Sequence, residues 1–120
     1  MTDNYLITIS TQFAIDTILL CETLKKRGRA TGIINQLLRS GTSIGANIHE
    51  ANYASSRADF INKFQIALKE CYETHYWLNV YLGANILTKE EYDRAVSICS
   101  KIRKLLISSI KTAKKNEIKS

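Results

Sequence analysis

Apolar residues recur at intervals of three and four along almost the whole chain, and a few short breaks divide that rhythm into four segments. Leu6, Ile9, Phe13, Leu20 and Leu24 mark the main face of a first helix, predicted over about 5–26. The stretch "RGRATG" stops it: Gly28 suits a left-handed C-cap, and Lys25, Lys26 and Arg27 suit the negative end of the helix dipole. A second helix is predicted over about 31–53 and ends at the joint "NYASSRAD". There Ser56 can cap a third helix, about 56–82, with Asp59 three residues on. Its stripe reads Phe60, Phe64, Ala67, Leu68, Cys71, His75, Leu78 and Leu82, and it ends in "GAN". Thr88-Lys89-Glu90-Glu91 is a capping box that opens a fourth helix, about 88–115. Four helices of this length with short joints pack as an antiparallel up-down bundle.

One stretch resists this easy reading. "LLRSGTSIGANIHEA" has helical spacing but holds Gly41 and Gly45. Each interior glycine costs a helix about 1 kcal/mol relative to Ala. Four residues apart, on the face shared by Leu37, Leu38, Ile44 and Ile48, the two glycines allow a neighbouring backbone to approach closely. The polar residues Gln36, Arg39, Ser40, Ser43, Asn47 and Glu50 border that face. A part-buried charge needs a partner. Glu70 and Glu73 of the third helix lie near Trp77 and Tyr81, so a polar network between the second and third helices is expected, with Arg39 or Asn47 meeting Glu70. The alternative is a plain solvated face.

The fourth helix is apolar over a wide arc. Val96, Ile98, Cys99, Ile102, Leu105, Leu106, Ile107 and Ile110 cover about half its circumference, more than the stripe one bundle needs. On the first helix Ile7, Ile15, Ile18 and Leu19 fall outside the main stripe. Surplus apolar surface marks a partner, and a second copy of the chain is the expected one.

Composition narrows the class. A chain of 120 residues without proline and with five glycines lacks the turn punctuation of a β-sandwich or barrel, so one all-α domain over 1–120 is expected. The formal net charge of +6 points to anionic partners. Arg94, Lys101, Lys104, Lys111 and Lys115, with Ser97 and Ser108, share one side of the fourth helix as a basic stripe. A second cluster, Lys25, Lys26, Arg27 and Arg29, lies at the first joint, and in a simple bundle the two are expected toward opposite poles. Long, one-sided basic faces suit phosphate binding by counterion release, which points to RNA or DNA.

Catalytic and cofactor signatures are missing. Neither His49 nor His75 has a Glu three residues before it, as a di-iron bundle requires, and there is no phosphate-cradling glycine loop. Cys71 and His75 stand at i, i+4, but without a second such pair they read as core residues rather than zinc ligands. No enzyme activity, metal or cofactor is expected. Three widely spaced cysteines do not form a disulfide framework and suit a reducing cytoplasm. No signal peptide is evident, and Asp16 and Glu22 interrupt the most apolar run, so no membrane partner is expected.

"QLLRSGTSIGANIHEA" followed by "DFINKFQIALKECYETHYWL" resembles the four helix bundle proteins, also called 23S rRNA intervening-sequence proteins. The likeness spans essentially the whole chain. It is most specific where Arg39-Ser40, Ser43-Ile44, Asn47-Ile48-His49-Glu50 and Glu70 match the family pattern. Many members carry Pro after the Ser-Ile pair, where this chain has Gly45, and another in the joint before the second helix. The resemblance implies a four-helix bundle assembling as a homopentameric ring. A family of similar fold, the accessory variability determinants of diversity-generating retroelements, works beside a reverse transcriptase and binds nucleic acid. The resemblance therefore implies a bacterial, non-catalytic assembly whose partners are itself, RNA or DNA, or a protein such as a reverse transcriptase.

Overall fold

The computed structural model describes residues 4–119, which form α1 (Asn4–Lys26), α2 (Thr31–Ala51), α3 (Arg57–Gly83) and α4 (Lys89–Lys119). Each helix packs against the next, α4 returns to α1, and neither diagonal pair meets, which gives an antiparallel four-helix bundle. The rod measures 53 × 21 × 20 Å.

Local chemistry sets each boundary. α1 closes in a Schellman motif: Gly28 takes φ +85°, its N–H donates to the Lys25 carbonyl, and the Arg29 N–H donates to the Leu24 carbonyl. α2 stops at Ala51, two residues short of the expected end, because the Asn52 and Tyr53 amides turn back to His49 and Glu50. At α3 the Ser56 hydroxyl accepts from the Asp59 N–H (3.0 Å), and the Asp59 carboxylate accepts from the Ser55 N–H (3.1 Å). α3 then runs through Gly83. Its left-handed residue is Asn85, φ +59°, and a second Schellman pair joins Ile86 N–H to Tyr81 O and Asn85 N–H to Leu82 O. α4 opens on a reciprocal capping box, Glu91 N–H to Thr88 Oγ1 (3.1 Å) and Thr88 N–H to Glu91 Oε1 (2.9 Å). It continues past the expected end at Lys115 to Lys119.

The core positions repeat at three and four. On α3 they are Phe64, Ala67, Cys71, Thr74, Leu78 and Tyr81, and on α2 Ile34, Leu37, Gly41, Ile44, Ile48 and Ala51. This is the seam spacing of a coiled coil. It departs from the expected α3 stripe at several places. Thr74 and Tyr81 are buried, while Phe60, His75 and Leu82 are half-buried. The polar groups on the seam are satisfied across it: Thr74 donates to the Ser40 hydroxyl (3.0 Å), and the Tyr81 hydroxyl donates to the Ile33 carbonyl. Thr17, Ser40 and Thr74 form a buried polar layer between two apolar clusters, one around Phe64 and Ile102, the other around Leu24 and Leu37.

Gly41 and Gly45 face α1. A Cβ at Gly41 would stand 2.7 Å from Thr17 Cγ2, and one at Gly45 would stand 3.1 Å from the Ser10 carbonyl oxygen. The α1 partners are themselves small, and Thr17 is fixed by donating to the Phe13 carbonyl (2.7 Å). The helices therefore approach so closely that a methyl group at Gly41 would collide with Thr17 and one at Gly45 would press on the Ser10 backbone. By length and composition α1 could also cross a membrane, despite Asp16 and Glu22. Six of its residues, Leu6 to Leu24, nevertheless line the bundle interior.

Opposite outcomes are expected for one substitution at different glycines. Gly41→Ala and Gly45→Ala should each destabilise by about 1–3 kcal/mol through overpacking. Gly32→Ala, which has nothing within 4 Å, should be neutral or gain a few tenths of a kcal/mol. Urea denaturation followed by circular dichroism reads all three; equal stability for Gly45→Ala and Gly32→Ala would refute the close approach.

Candidate functional surfaces

At the pole where α1 meets α2 and α3 meets α4, three of the four clustered cations are engaged within the protein. Arg27 grips Glu91 with both guanidinium nitrogens (3.0 and 2.7 Å). Arg29 donates to the Asn85 carbonyl (2.8 Å), and Lys25 donates to Asn35 (2.8 Å). Lys26 has no partner among the described residues. Arg27 thus ties the end of α1 to the cap of α4, closing the pole across the seam between them. The guanidinium, helped by the Thr88 amide and hydroxyl, holds the Glu91 carboxyl down at about 2.

The α2–α3 seam carries the polar residues singled out from the pattern, and only some of them meet. Arg39 pairs with Glu70 (3.4 Å) and with Glu73, which also accepts from the Trp77 indole (3.4 Å). Asn47 does not reach Glu70; its amide donates to the Ser43 carbonyl (2.9 Å). Ser43 bonds back to the Arg39 carbonyl (2.6 Å), and Glu50 pairs with Lys63 (3.1 Å). The second oxygen of Glu70 is buried without a partner among the described residues. Ser40 and Thr74 complete the seam below the ion pairs, and short hydroxyl residues at core spacing were the one signal for them.

Cys71 and Cys99 adjoin across α3 and α4, where the Cys99 thiol donates to the Cys71 carbonyl (3.5 Å). The contact with Cys99, and then burial, push the Cys71 thiol well above its ordinary range. Burial raises Cys21 to about 11. Both are protonated thiols at neutral pH and poor nucleophiles. Among the described residues no three His, Cys, Asp or Glu side chains converge on a metal position.

The α4 stripe is different. Arg94, Lys101, Lys104, Lys111 and Lys115 are exposed and join no ion pair among the described residues. No acid lies between Asp93 and Glu117. At 1.5 Å per residue the stripe is roughly 32 Å long. Its lysines run toward the pole opposite the first cluster, as expected, and only its first cation, Arg94, lies near that cluster. Arg94 is one turn beyond Glu91, so the stripe begins beside the Arg27 clasp and descends toward the other pole.

Between α1 and α4 the packing is the sparsest of the four seams. A groove of about 320 Å³ opens there, with Phe13, Leu19, Leu20, Arg94 and Ile98 among its walls. Beside it α1 exposes Ile15, Ile18 and Leu19, the last at 56%. The fourth helix is better covered than its sequence suggests: Val96, Ile98, Leu105 and Ile107 are half-buried, and Cys99, Ile102, Leu106 and Ile110 are in the core. The surplus apolar surface lies on α1, and a second strip lies on α3 at Ile66, Tyr72, Tyr76 and Val80.

An all-α antiparallel four-helix bundle with one basic face is the class these features define. The chain matches the model of the 23S rRNA-intervening sequence proteins over residues 3–108 and belongs to that family. It is also similar to a solved protein of unknown function from the S23 ribosomal protein family of Bacteroides thetaiotaomicron, 47% identical, with a TM-score of 0.89, covering 92% of this chain and 99% of that one. Comparison with curated proteins gives no match.

Glu91→Gln keeps the capping geometry and removes the charge on which Arg27 acts. The Glu91 carboxyl is depressed in the folded state, so its contribution is present above its usual value near 4.5 and is lost as pH falls toward about 2. The variant should lose about 1 kcal/mol or less at neutral pH, given the exposed position of Arg27. Its stability should also fall less steeply than that of the unmodified protein between those two pH values. Urea midpoints across that window test both points.

Proposed function

We propose that the protein is a non-catalytic, self-associating bundle that binds RNA or DNA along the α4 stripe. The carrying observation is the row of five exposed cations without ion-pair partners, on a chain of formal net charge +6. Elsewhere Arg27, Arg39, Lys63 and Lys89 each hold a carboxylate, and the other unpaired cations among the described residues, such as Lys26, Arg57 and Lys69, form no comparable row. Free cations on a rigid helix keep their spacing, and phosphates bound to them release condensed counterions. Such binding follows the backbone and is indifferent to base sequence. Of the first-joint cluster, Lys26 is the residue free to extend it.

Replacing Lys101, Lys104, Lys111 and Lys115 by Glu should abolish retention of nucleic acid in filter binding while leaving helix content unchanged. For the unmodified protein, five phosphate contacts imply a slope of log K against log salt of about −3.5 on single strands and −4.5 on duplex DNA. No retention by the unmodified protein at low salt refutes this reading.

Self-association is proposed through α1. Ile15, Ile18 and Leu19 form a continuous apolar strip beside the groove, and burying such a strip against a second copy removes it from water. The family resemblance makes a pentameric ring the expected assembly. In a ring each α4 stripe would be repeated around the axis, and several weak phosphate contacts would act together. Light scattering should give a multiple of 13.6 kDa for the unmodified protein and a single 13.6 kDa species for Ile18→Glu/Leu19→Glu. A monomeric unmodified protein refutes it.

A protein-scaffold reading has one observation in its favour, the exposed α3 strip of Tyr72, Tyr76 and Val80. A partner such as a reverse transcriptase would sit there without contacting α4. Nuclease-resistant co-purification of a single protein would favour that reading. The buried free cysteines fit the reducing cytoplasm expected for either role.

A further inference from the structure

The stripe on α4 passes the mouth of a second cavity. At the pole where α2 turns into α3, about 520 Å³ of space lies between that turn and the last turns of α4. This falls within the roughly 300–1,000 Å³ of small-ligand sites. Its lining includes Phe60, Asn52, Ser108, Ser109, Thr112 and Asn116. Phe60 is half-buried and leans on Phe64 with ring centroids 4.4 Å apart, so its ring is held in place by a buried neighbour. The five polar side chains make no hydrogen bond to the protein among the described residues. On α1 and α2, Thr8, Thr17, Thr23, Thr42 and Ser43 each donate to a carbonyl one turn back, whereas Thr11, Ser97 and Ser100, like the cavity residues, do not. Here, donors and acceptors are left open around an aromatic ring.

Two positions belong to both features. Ser108 lies on the stripe between Lys104 and Lys111, and it also lines the cavity. Thr112 lines the cavity next to Lys111, one turn before Lys115. Arg57 stands on the far wall and adds a cation facing the mouth from α3. A strand held by its phosphates along α4 is thereby carried over an opening that offers one ring to stack on and several amides and hydroxyls to bond to. In a duplex the bases are paired and stacked, so they cannot enter without being extruded.

We propose that this cavity accepts one unpaired base of a nucleic-acid strand whose backbone lies on the α4 stripe, and so makes the protein prefer single-stranded nucleic acid over duplex. The inference rests on the nucleic-acid reading above and adds to it the form of the ligand. Base–aromatic stacking sets the size of the effect at about tenfold in affinity.

The test uses a fluorescent oligouridylate of about eight nucleotides and a duplex of equal length. Their affinities are compared for the unmodified protein and for Ser109→Leu/Thr112→Leu, which fills the cavity with aliphatic groups and leaves every cation in place. The unmodified protein should bind the single strand about tenfold more tightly, and the filled variant should lose that preference while keeping its duplex affinity and salt slope. A second readout avoids substitution. Irradiation of a 5-iodouracil version of the same oligonucleotide should cross-link it to the peptide that contains Phe60. Equal affinity for both forms, a preference that survives filling, or cross-links confined to α4 each overturn the cavity proposal and leave the stripe intact. Loss of self-association in the filled variant assigns the cavity to an interface between copies and overturns it too. No binding of either probe removes the stripe reading and this one together.

Discussion

The close approach of α1 to α2 governs the rest of the bundle. Where Gly45 meets the Ser10 backbone and Gly41 meets Thr17, the two helices are separated by no side chain larger than a hydroxyl residue. Drawing α1 against α2 has a geometric consequence on its other side. The seam with α4 is left loose, a groove opens in it, and Ile15, Ile18 and Leu19 remain outside the core. Two glycines that weaken α2 by propensity therefore give it a close contact with α1, while apolar surface remains on the other side of α1. The Arg27–Glu91 clasp closes that loose seam at one pole only, joining the end of α1 to the start of α4.

Much of this was legible in the sequence, and the rest was hidden for physical reasons. Gly28, Ser56 with Asp59, and Thr88 with Glu91 announced three of the helix ends, because each satisfies orphan backbone groups that every helix end exposes. The end of α3 was less visible: Asn85, not Gly83, takes the left-handed turn, since Asn tolerates that conformation with less strain than most side chains. Hydrophobic residues located the core, but the true seam includes Gly41, Ser40, Thr74 and Tyr81. An apolar stripe omits such residues, and only the regular three-and-four spacing brings them back. Arg39 with Glu70 could be anticipated because a part-buried charge needs a partner. Its sharing with Glu73 could not, since that depends on how α2 and α3 are rotated against each other.

Charge shows the same limit. Sequence placed two basic clusters on the chain and gave them equal standing. Structure separates them by occupancy: Arg27, Arg29 and Lys25 are engaged in holding a pole together, whereas the α4 cations face outward without ion pairs among the described residues. A cation in a bidentate pair must give up its carboxylate before it can take a phosphate, so its net contribution to binding is small. A free lysine on a helix incurs no such cost. Net charge alone is a guide to the kind of partner, and the pairing of each cation shows which of them are available to one.

Occupancy also bears on why α4 is long and its outer face so uniform. Its inner residues, Cys99, Ile102, Leu106 and Ile110, belong to the common core and are interchangeable in kind with those of the other helices. From Arg94 to Lys115 its outer face carries cations separated by serines and threonine, without the acids that elsewhere pair with cations at i, i+4, as Asp93 does with Lys89 in the first turns. Like charges so arranged repel one another and lower the stability of α4 in isolation, and the folded bundle bears that strain because α4 is held from both sides. A polyanion bound there, as proposed, would relieve the repulsion; ligand binding and α4 stability would then be thermodynamically linked, and the helix should be most rigid when phosphate lies along it.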